Sequence, residues 1–479
     1  MTDVMNESFP ETTPLTVQSP LQPETGSPAA GRKVYVETYG CQMNEADTEI
    51  VLSLMNREGY QPTDRIEHAD VVFLNTCSVR DNAEQRIHGR LSHIAFHKKK
   101  KPEMVVGVLG CMAERLRRKL IHEGSIVDVV VGPDEYRALP ELVSEAQFGT
   151  KGLAVKLSRV ETYDDITPLR TEGISAWLSV MRGCDKFCTF CVVPFTRGRE
   201  RSRSLESIVK EVEGLAEHGF REVTLLGQNV NSYRWEGRDF ADLLAAVADV
   251  DPLIRIRYTT SHPQDMSDKL IETMASRANI CNYIHLPVQS GSNRMLQLMN
   301  RTYTIEHYLE RIAKIHERIP NASLSTDIIA GFPTETDDDH RQTIELMKRV
   351  RYDGAYMFKY SPRENTKAWA MGDSVPEEVK AARLEEIIDL QRKIAEENNQ
   401  RHVGTIEEVL VDGESKKDAA EWKGRTDTNK VVIFRHGDEQ IGEYVNVKIH
   451  RATAATLFGS VVDANGLPRE FPIELSVAL

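Results

Sequence analysis

Near the middle of this 479-residue chain the sequence reads Met181-Arg-Gly-Cys-Asp-Lys-Phe-Cys-Thr-Phe-Cys-Val192. Its cysteines, Cys184, Cys188 and Cys191, follow a C-x3-C-x2-C spacing. A zinc knuckle usually has C-x2-C pairs and a fourth ligand nearby, but no further His or Cys follows until His218. Three thiolates suit a [4Fe-4S] cluster and leave one iron open to a substrate. The remaining alternative, a trio of inert thiols, gives no reason for such tight spacing.

The same stretch resembles the signature of the radical S-adenosylmethionine (SAM) enzymes. The resemblance implies that the open iron chelates SAM, and that Phe190 lies against the adenine of SAM. It also implies that SAM is split to give a 5′-deoxyadenosyl radical. The protein's part in such chemistry is to place the cofactor and to exclude competing reactions.

Length and composition limit the remaining possibilities. The chain is long enough for two to four domains. Its 60 basic and 73 acidic side chains give a net charge of −13, so an RNA site must be a local patch. No apolar run reaches the roughly 18 residues of a membrane span. Seven cysteines in so long a chain do not form a disulfide scaffold, and thiolate clusters favour a reducing cytoplasm.

Both ends of the chain are expected to be tails. Residues 1–30 contain no Lys or Arg and no apolar core, so they do not form a secretory signal. Their Pro, Ser, Thr and Glu content predicts a disordered tail. Residues 467–479 are predicted as a second tail.

Residues 31–148 repeat one pattern, in which an apolar strand ends in a turn and a helix follows. Three of these strands end at Cys41, Cys77 and Cys111, and a fourth, at 127–132, carries no cysteine. The alternation predicts a doubly wound parallel sheet, whose ligands sit beyond the carboxyl ends of its strands. Three cysteines at that edge predict a second three-thiolate cluster with an open iron. Three half-buried thiols that cap strands remain the alternative.

Four motifs narrow the resemblance to the radical SAM methylthiotransferases, and to their branch acting on prenylated adenosine. They are Thr38-Tyr-Gly-Cys-Gln-Met-Asn44, Asn75-Thr-Cys-Ser-Val-Arg80, Gly110-Cys-Met-Ala-Glu-Arg115 and Cys188-Thr-Phe-Cys-Val-Val-Pro-Phe-Thr-Arg-Gly198. The resemblance covers the chain from about Arg32 to Val462. It implies that Cys41, Cys77 and Cys111 hold an auxiliary [4Fe-4S] cluster. Cys184, Cys188 and Cys191 would hold the cluster that cleaves SAM.

The resemblance also implies a reaction. A methylthio group is added to carbon 2 of N6-(dimethylallyl)adenosine at tRNA position 37, next to the anticodon. SAM serves both as methyl donor and as the source of the radical, and an electron-donor protein is an expected partner. The base must leave its stack, and the sequence is expected to be recognised in the exposed anticodon loop.

Three alternatives remain. Two keep the enzyme class and change the substrate, to a threonylcarbamoyl adenosine of tRNA or to an aspartate of a ribosomal protein. The motifs around Cys41 and Cys77 disfavour both. The third is a non-catalytic, RNA-binding iron–sulfur sensor, which two open irons disfavour because electron carriers are normally fully ligated.

Residues 170–400 are predicted to form the radical SAM core, after a linker at 149–169 that alternatively contributes strands to a neighbouring domain. Six apolar runs alternate with helical patterns and predict a partial (β/α)6 barrel. They span 176–181, 222–228, 255–258, 283–286, 323–329 and 354–360. Active-site residues of such barrels come from the C-terminal strand ends.

Polar residues interrupt the apolar runs at these strand ends. SAM needs partners for a carboxylate, an ammonium, hydroxyls and adenine, and amides, hydroxyls and one carboxylate meet those needs. By family resemblance the SAM pocket includes Gln228, Asn229, Ser261, Gln289 and Asp327. Alternatively, each is a turn or cap residue. Cys281 has no partner in the sequence pattern and is predicted to be a buried thiol.

Two regions are candidate RNA contacts. Arg197, Arg199, Arg201 and Arg203 alternate and, in an extended segment, would form a phosphate-binding stripe. The alternative is a solvated turn with ion pairs. Residues 401–466 predict five short strands and a small OB-like barrel, which the resemblance equates with a TRAM domain. Its candidate RNA contacts are Trp422, Arg425 and Lys430, unless the barrel is a plain docking domain.

Overall fold

The computed structural model describes residues 31–78, 81–122, 124–170, 173–463 and 466–467, with the backbone alone for 81–85. The predicted tail at 1–30 and, apart from Leu467, the predicted tail at 467–479 lie outside the described residues. The described chain forms three domains in sequence order, each with its own apolar core.

A six-stranded parallel sheet forms the N-terminal domain, which confirms the predicted fold class. The elements are β1 Lys33–Tyr39, α1 Gln42–Arg57, β2 Gln61–Pro62, β3 Val71–Thr76, α2 Asp81–Lys100, β4 Val105–Gly110, α3 Cys111–Leu116, β5 Val129–Val131, α4 Leu139–Gln147 and β6 Gly152–Ala154. The strand order is β2-β1-β3-β4-β5-β6. Apolar side chains cover both faces: Val71 and Phe73 pack in one core with α1 and α4, while Val72 and Leu74 pack in the other with α2 and α3.

The sheet reverses its winding direction at β1, which lies between β2 and β3. Ligands of doubly wound folds bind at such a switch point, beyond the carboxyl ends of the strands. Tyr39 of β1 is registered with Thr76 of β3, and Thr76 with Gly110 of β4. The sheet therefore brings the residues that follow these three positions to one edge.

Residues 152–154 correct the predicted linker. They form β6, paired in parallel with β5 through Leu153 and Val130, so the N-terminal domain extends beyond 148. A three-residue strand is too short to show a two-residue periodicity, so the sequence pattern did not reveal it. The even shorter β2, which contains Pro62, was missed for the same reason.

Six parallel strands follow one another in sequence order around the central domain and confirm the partial barrel. β7, β10 and β13 form one half and β14, β15 and β16 the other, joined by a bridge between Ile256 and Ile280. The elements are β7 Ser175–Ser179, β8 Met181–Arg182, α5 Val193–Thr196, β9 Arg201–Ser202, α6 Leu205–Glu217, β10 Glu222–Leu226, β11 Arg234–Trp235, β12 Arg238–Asp239, α7 Phe240–Ala248, β13 Arg255–Thr259, α8 Asp268–Ala275, β14 Tyr283–His285, α9 Asn293–Leu298, α10 Ile305–Arg318, β15 Ser323–Ala330, α11 Asp337–Val350, β16 Gly354–Lys359, α12 Lys367–Ala370 and α13 Glu377–Gln400.

Local sequence sets where the helices of this domain begin. Seven of them start after a Ser, Thr or Asp whose side-chain oxygen accepts the backbone N–H three residues on. Each such cap satisfies one of the free N–H groups of the first turn and stabilises the helix by about 1 kcal/mol. The caps leave short, defined loops at the strand ends.

A closed five-stranded barrel forms the C-terminal domain, as predicted. Its strand order is β17-β18-β19-β21-β20, and its core includes Val409, Val432, Phe434 and Val447. The strands are β17 Ile406–Glu414, β18 Glu421–Arg425, β19 Val431–Arg435, β20 Tyr444–Ala452 and β21 Thr456–Val461.

The turn between β18 and β19 docks on the central domain near the N-terminal ends of its strands. Arg257 of β13 pairs with Glu222 at 2.6 Å and donates to the carbonyls of Thr426 and Asp427. Arg255 donates to the carbonyl of Arg425 at 2.8 Å. The C-terminal barrel thus sits at the end of the central barrel opposite to the C-terminal strand ends. Cys281 of the central domain is buried, as predicted.

We expect Arg257→Ala to loosen the C-terminal barrel and to destabilise the protein by about 3–5 kcal/mol, because the buried carboxylate of Glu222 loses its ion pair. Limited proteolysis near residues 401–405 and calorimetry measure both effects. Arg318→Ala is the control, since it breaks an exposed pair with Glu272 worth at most about 1 kcal/mol. Equal effects of the two substitutions would contradict the prediction.

Candidate active site

Three cysteines follow the registered strand ends of the N-terminal sheet and are here called the auxiliary trio: Cys41, Cys77 and Cys111. Gly40 lets two of them approach, because a Cβ at Gly40 would lie 2.6 Å from the Cβ of Cys77. A hydrogen bond with Cys77, helped by the charge of Arg197, lowers the pKa of Cys41 to about 6. Burial raises the pKa of Cys111. The structure thus brings together residues that lie 36 and 34 positions apart.

Buried amides fix the start of α1 beside the auxiliary trio. Asn75, the residue before Thr76 at the end of β3, donates to the carbonyl of Asn44 at 2.8 Å and to Thr48 Oγ1 at 3.0 Å. The Asn44 side chain lies 3.6 Å from Cys41 Sγ. These contacts hold the loop that carries Cys41 against the neighbouring strand.

The other three cysteines, called the central trio, lie on a loop closed by the antiparallel pair β8 and β9: Cys184, Cys188 and Cys191. Cys184 N donates to Gly198 O at 3.1 Å, and Cys191 N donates to Cys188 O at 3.0 Å. Burial raises the pKa values of Cys184 and Cys191 to about 12. The backbone hydrogen bonds within the loop give it a defined conformation.

The segment after α9 holds the central loop from the other side. Met299 O accepts from Thr189 N at 3.0 Å, and the Asn300 side chain donates to the carbonyls of Lys186 and Phe187. Arg301 Nη1 lies 3.2 Å from Cys188 Sγ and donates through Nη2 to Pro287 O. Arg301 was not predicted from the sequence, because 113 positions separate it from Cys188.

We expect Gly183→Ala to prevent the central loop from closing. Gly183 has φ +78°, and an added Cβ would lie 2.0 Å from the carbonyl oxygen of Arg199. Neither backbone can yield without opening the loop, so the iron bound by the central trio after anaerobic reconstitution, about four atoms per chain, should be lost. Gly214→Ala is the matched control, since open space surrounds that helical position. Full iron in Gly183→Ala would refute the expectation.

Arg197, six residues after Cys191, connects the segment that follows the central trio to the auxiliary trio across the interface between the N-terminal and central domains. Arg197, which ends α5, donates through Nε to Cys111 Sγ at 3.1 Å and through Nη2 to Asp47 Oδ2 at 2.8 Å. Arg182 of β8 pairs with the other oxygen of Asp47. Asp47 on α1 is completely buried, and both guanidinium groups are almost so. Asp47 was not singled out from the sequence, because nothing local marks an Asp on a helix as an ion-pair centre.

These contacts correct the predicted phosphate-binding stripe. Arg197 is 3% exposed, Arg201 pairs with Asp134 at 2.7 Å, and Arg203 pairs with Glu211 at 2.8 Å. The segment is interrupted by α5 and β9, so the side chains do not share one solvent-facing side. These arginines pair with buried carboxylates, two of which lie outside the central barrel, and not with phosphates. Arg199 alone of the four remains exposed, beside Asp185.

Four predicted SAM residues lie at or just after C-terminal strand ends. Asn229, after β10, donates to Asp265 Oδ2 at 2.9 Å, but its buried Oδ1 has no hydrogen-bond partner among the described residues. The buried Oγ of Ser261, after β13, likewise has none there. Gln289, after β14, has φ +74° and pairs with β15. Gln228 accepts the backbone N–H of Gly183 at 2.5 Å and so positions the central loop.

The two other predicted SAM residues flank these ends. Asp327 lies within β15, with Oδ1 3.5 Å from His285 Nε2 and part of its carboxylate exposed. Phe190, between the last two cysteines of the central trio, packs edge-on against Phe332 with ring centroids 6.5 Å apart. His262, beside Ser261, was not predicted, and burial lowers its pKa. Buried polar atoms without hydrogen-bond partners among the described residues thus lie after β10 and β13, at the C-terminal strand ends of the central barrel.

The donor atoms of both trios are chemically suited to an iron–sulfur cluster. Within the ranges that the structure describes, no three His, Cys, Asp or Glu side chains are placed to hold one metal ion. A [4Fe-4S] cluster is different, because each cysteine binds a different iron and the sulfurs stand farther apart. The donors are thiols alone, with a nearby guanidinium to compensate thiolate charge, which is the chemistry that iron–sulfur clusters require.

The candidate RNA contacts on the C-terminal barrel are mostly engaged elsewhere. Trp422 is buried and stacks on His436 with ring centroids 4.0 Å apart, and Lys430 pairs with Asp353 of the central domain at 2.6 Å. Arg425 is half-buried and donates to Asn429. Trp422 and Lys430 are therefore held by contacts within the protein, and their role in RNA binding stays a prediction. In an isolated sequence, a docking lysine looks the same as an RNA-binding one.

A parallel half-barrel with a C-x3-C-x2-C loop next to its C-terminal strand ends defines a radical SAM enzyme. The pattern of the Radical SAM superfamily matches residues 178–347. The chain belongs to the family of tRNA-2-methylthio-N(6)-dimethylallyladenosine synthases. A relative of that name from Chloroherpeton thalassium is 54% identical over 433 residues, which cover 90% of this chain and 96% of the relative.

Further comparisons concern a second relative, the separate domains and the fold. A synthase of the same name from Parabacteroides distasonis is 53% identical, again over 90% of this chain and 96% of the relative. Residues 33–132 match Uncharacterized protein family UPF0004, and residues 400–462 match the TRAM domain. In fold, the chain is similar to the radical SAM methyltransferase TsrM from Kitasatospora setae, with a TM-score of 0.55 and 14% identity over 71% of this chain and 77% of that one.

None of the helices in the described ranges combines the length and the apolar character needed to cross a membrane.

Proposed function

We propose that this protein adds a methylthio group to carbon 2 of N6-(dimethylallyl)adenosine at tRNA position 37. The observation that carries the proposal is the contact across the domain interface between Arg197, which follows the central trio in sequence, and Cys111 of the auxiliary trio. Transfer of a sulfur group to an unactivated carbon needs a radical source and a sulfur source close together. Family membership and the site geometry support the same reaction.

The proposed cofactors are SAM and two [4Fe-4S] clusters, one for each trio. When bound, the clusters would supply the electron that cleaves SAM and a sulfur for the product. The chain's own residues position these groups. Gln228 and Asn300 hold the central loop through backbone hydrogen bonds, and Asn75 holds the start of α1 beside Cys41.

SAM binding is proposed at the strand ends beside the central trio. The unpaired Oδ1 of Asn229 can accept from an ammonium group or a hydroxyl, and the hydroxyl of Ser261 can donate or accept. Asp327 offers a partly exposed carboxylate and Phe190 an apolar ring. Gln289 completes this set at the end of β14. Buried polar atoms without partners cost free energy, which a polar ligand would recover.

The tRNA partner is proposed to approach the junction of the N-terminal and central domains, with the anticodon loop toward the cysteine trios. Arg199 and Arg425 are the predicted contacts that keep some exposure. An electron-donor protein is a further proposed partner, because the reaction consumes electrons. A reducing cytoplasm is the proposed location, since clusters held by cysteine thiolates need a reducing environment.

The decisive test is anaerobic incubation of the reconstituted protein with SAM, dithionite and tRNA that carries N6-(dimethylallyl)adenosine. Nucleoside mass spectrometry should detect the 2-methylthio product, and the same tRNA without the dimethylallyl group serves as control. Release of 5′-deoxyadenosine without any methylthio nucleoside would refute the proposed function.

A further inference from the structure

Arg197 belongs to the central domain and contacts a cysteine of the auxiliary trio, which lies in the N-terminal domain. It follows the central loop in sequence and ends α5, which packs against α3, the helix that begins with Cys111. Its Nε lies 3.1 Å from Cys111 Sγ. Arg197 therefore connects the sulfur of Cys111 in the auxiliary trio to the chain segment that follows the central trio.

The rest of its guanidinium group is fixed tightly. Nη2 donates to Asn44 Oδ1 at 3.1 Å and to Asp47 Oδ2 at 2.8 Å. Asp47 is itself held by Arg182 and by the hydroxyl of Tyr136. A planar guanidinium with two of its nitrogens fixed has little freedom to rotate, so the direction of the third nitrogen is also set.

That third nitrogen, Nη1, is buried and has no hydrogen-bond partner among the described residues. A buried charged donor without an acceptor costs free energy. Asn44 and Asp47 already bind the same guanidinium through Nη2, and the charge of Arg197 acts on Cys41 as well as on Cys111. The hydrogen bond from Nε to Cys111 Sγ meanwhile places a donor and a positive charge directly against a sulfur of the auxiliary trio.

We propose that Arg197 is a positioning residue that donates hydrogen bonds to the sulfur atoms of the auxiliary site and thereby raises its reduction potential. This inference rests on the proposed cluster at Cys41, Cys77 and Cys111. Reduction adds one electron to the group and makes or breaks no bond. Donors and a positive charge beside the sulfurs stabilise the reduced, more negative state.

The test uses full-length protein in which Cys184, Cys188 and Cys191 are replaced by Ala, so that the auxiliary site alone can hold iron. Dithionite titration followed by electron paramagnetic resonance measures its reduction potential. Adding Arg197→Gln should shift the reduction equilibrium at least about tenfold toward the oxidised state, which for one electron is about 59 mV. Arg197→Lys keeps the charge and should restore part of the shift.

Arg201→Gln is the matched control. It also removes a buried arginine that pairs with an N-terminal carboxylate, Asp134, but its guanidinium otherwise contacts backbone carbonyls. The potential of this variant should stay unchanged, whereas an equal shift would show that a loosened interface explains the result and would overturn the inference.

The outcomes separate this inference from the proposed function. Absence of iron in the parent with the central trio replaced would refute the auxiliary cluster itself. Iron at about four atoms per chain with a potential that Arg197→Gln moves by less than about twofold would overturn the role of Arg197 alone. If Arg197→Gln fails to retain iron, Arg197→Lys decides, and an unchanged potential there overturns the inference.

Discussion

Replacing the central trio, Cys184, Cys188 and Cys191, by Ala is expected to abolish reductive cleavage of SAM. Replacing the auxiliary trio, Cys41, Cys77 and Cys111, should leave SAM cleavage in place while abolishing the methylthio product. The reason is the location of the proposed SAM site, because the unpaired polar atoms proposed to bind SAM lie beside the central loop. Each triple variant should retain about four of about eight irons. Chromatography of 5′-deoxyadenosine and mass spectrometry of the tRNA nucleosides provide the two measurements.

Cys281→Ala is the matched control for these variants. Cys281 is buried near the C-terminal barrel and belongs to neither trio, so iron content and both activities should remain unchanged. Equal loss of SAM cleavage in the two triple variants would contradict the proposed division of labour between the sites.

Asp47→Ala is expected to give the largest loss of stability of any single substitution at the domain interface. Asp47 neutralises two buried guanidinium groups, those of Arg182 and Arg197. Removing one partner of a buried ion pair costs about 3–5 kcal/mol, because the remaining charge is left without compensation. Scanning calorimetry should therefore show an earlier unfolding transition, and the methylthio product should be lost as Arg197 is released from its position.

Two comparisons test the reason for that loss. Asp338→Ala breaks an exposed pair with Arg341, and its effect should stay below about 1 kcal/mol. Asp47→Asn keeps the size and one acceptor oxygen but not the charge, so it should fall between Asp338→Ala and Asp47→Ala. A stability of Asp47→Ala equal to that of the parent would refute the electrostatic role of Asp47.

The site was predictable where its signal is local. Cys184, Cys188 and Cys191 share one loop, so their spacing is visible in the sequence. Cys41, Cys77 and Cys111 each follow an apolar run, and parallel strands place the residues after such runs at one edge. Short elements such as β2 and β6 were not predicted, because two or three residues show no periodicity.

The arginines show where such reasoning fails. A run of alternating arginines after a cluster loop has the same sequence pattern whether its side chains face solvent or pair with buried carboxylates. The pattern therefore predicts a phosphate-binding stripe in both cases. Asp47 lies 150 positions before Arg197, and Asp134 lies 67 positions before Arg201. Only the folded chain determines which charges become neighbours, so the interface that buries Arg197 and Arg201 could not be deduced from their spacing.

The sequence by itself determined the class of fold, the two cysteine trios and the kind of cofactor that thiolates in such patterns hold, because strand periodicity, caps and ligand spacing are short-range properties. The tertiary structure alone decided that Arg197, beside the central trio in sequence, contacts Cys111 of the auxiliary trio, and that Lys430 pairs with Asp353 of the central domain. These contacts depend on packing between distant segments, where the free energy of a buried charge is set by its partner and not by its neighbours in the chain.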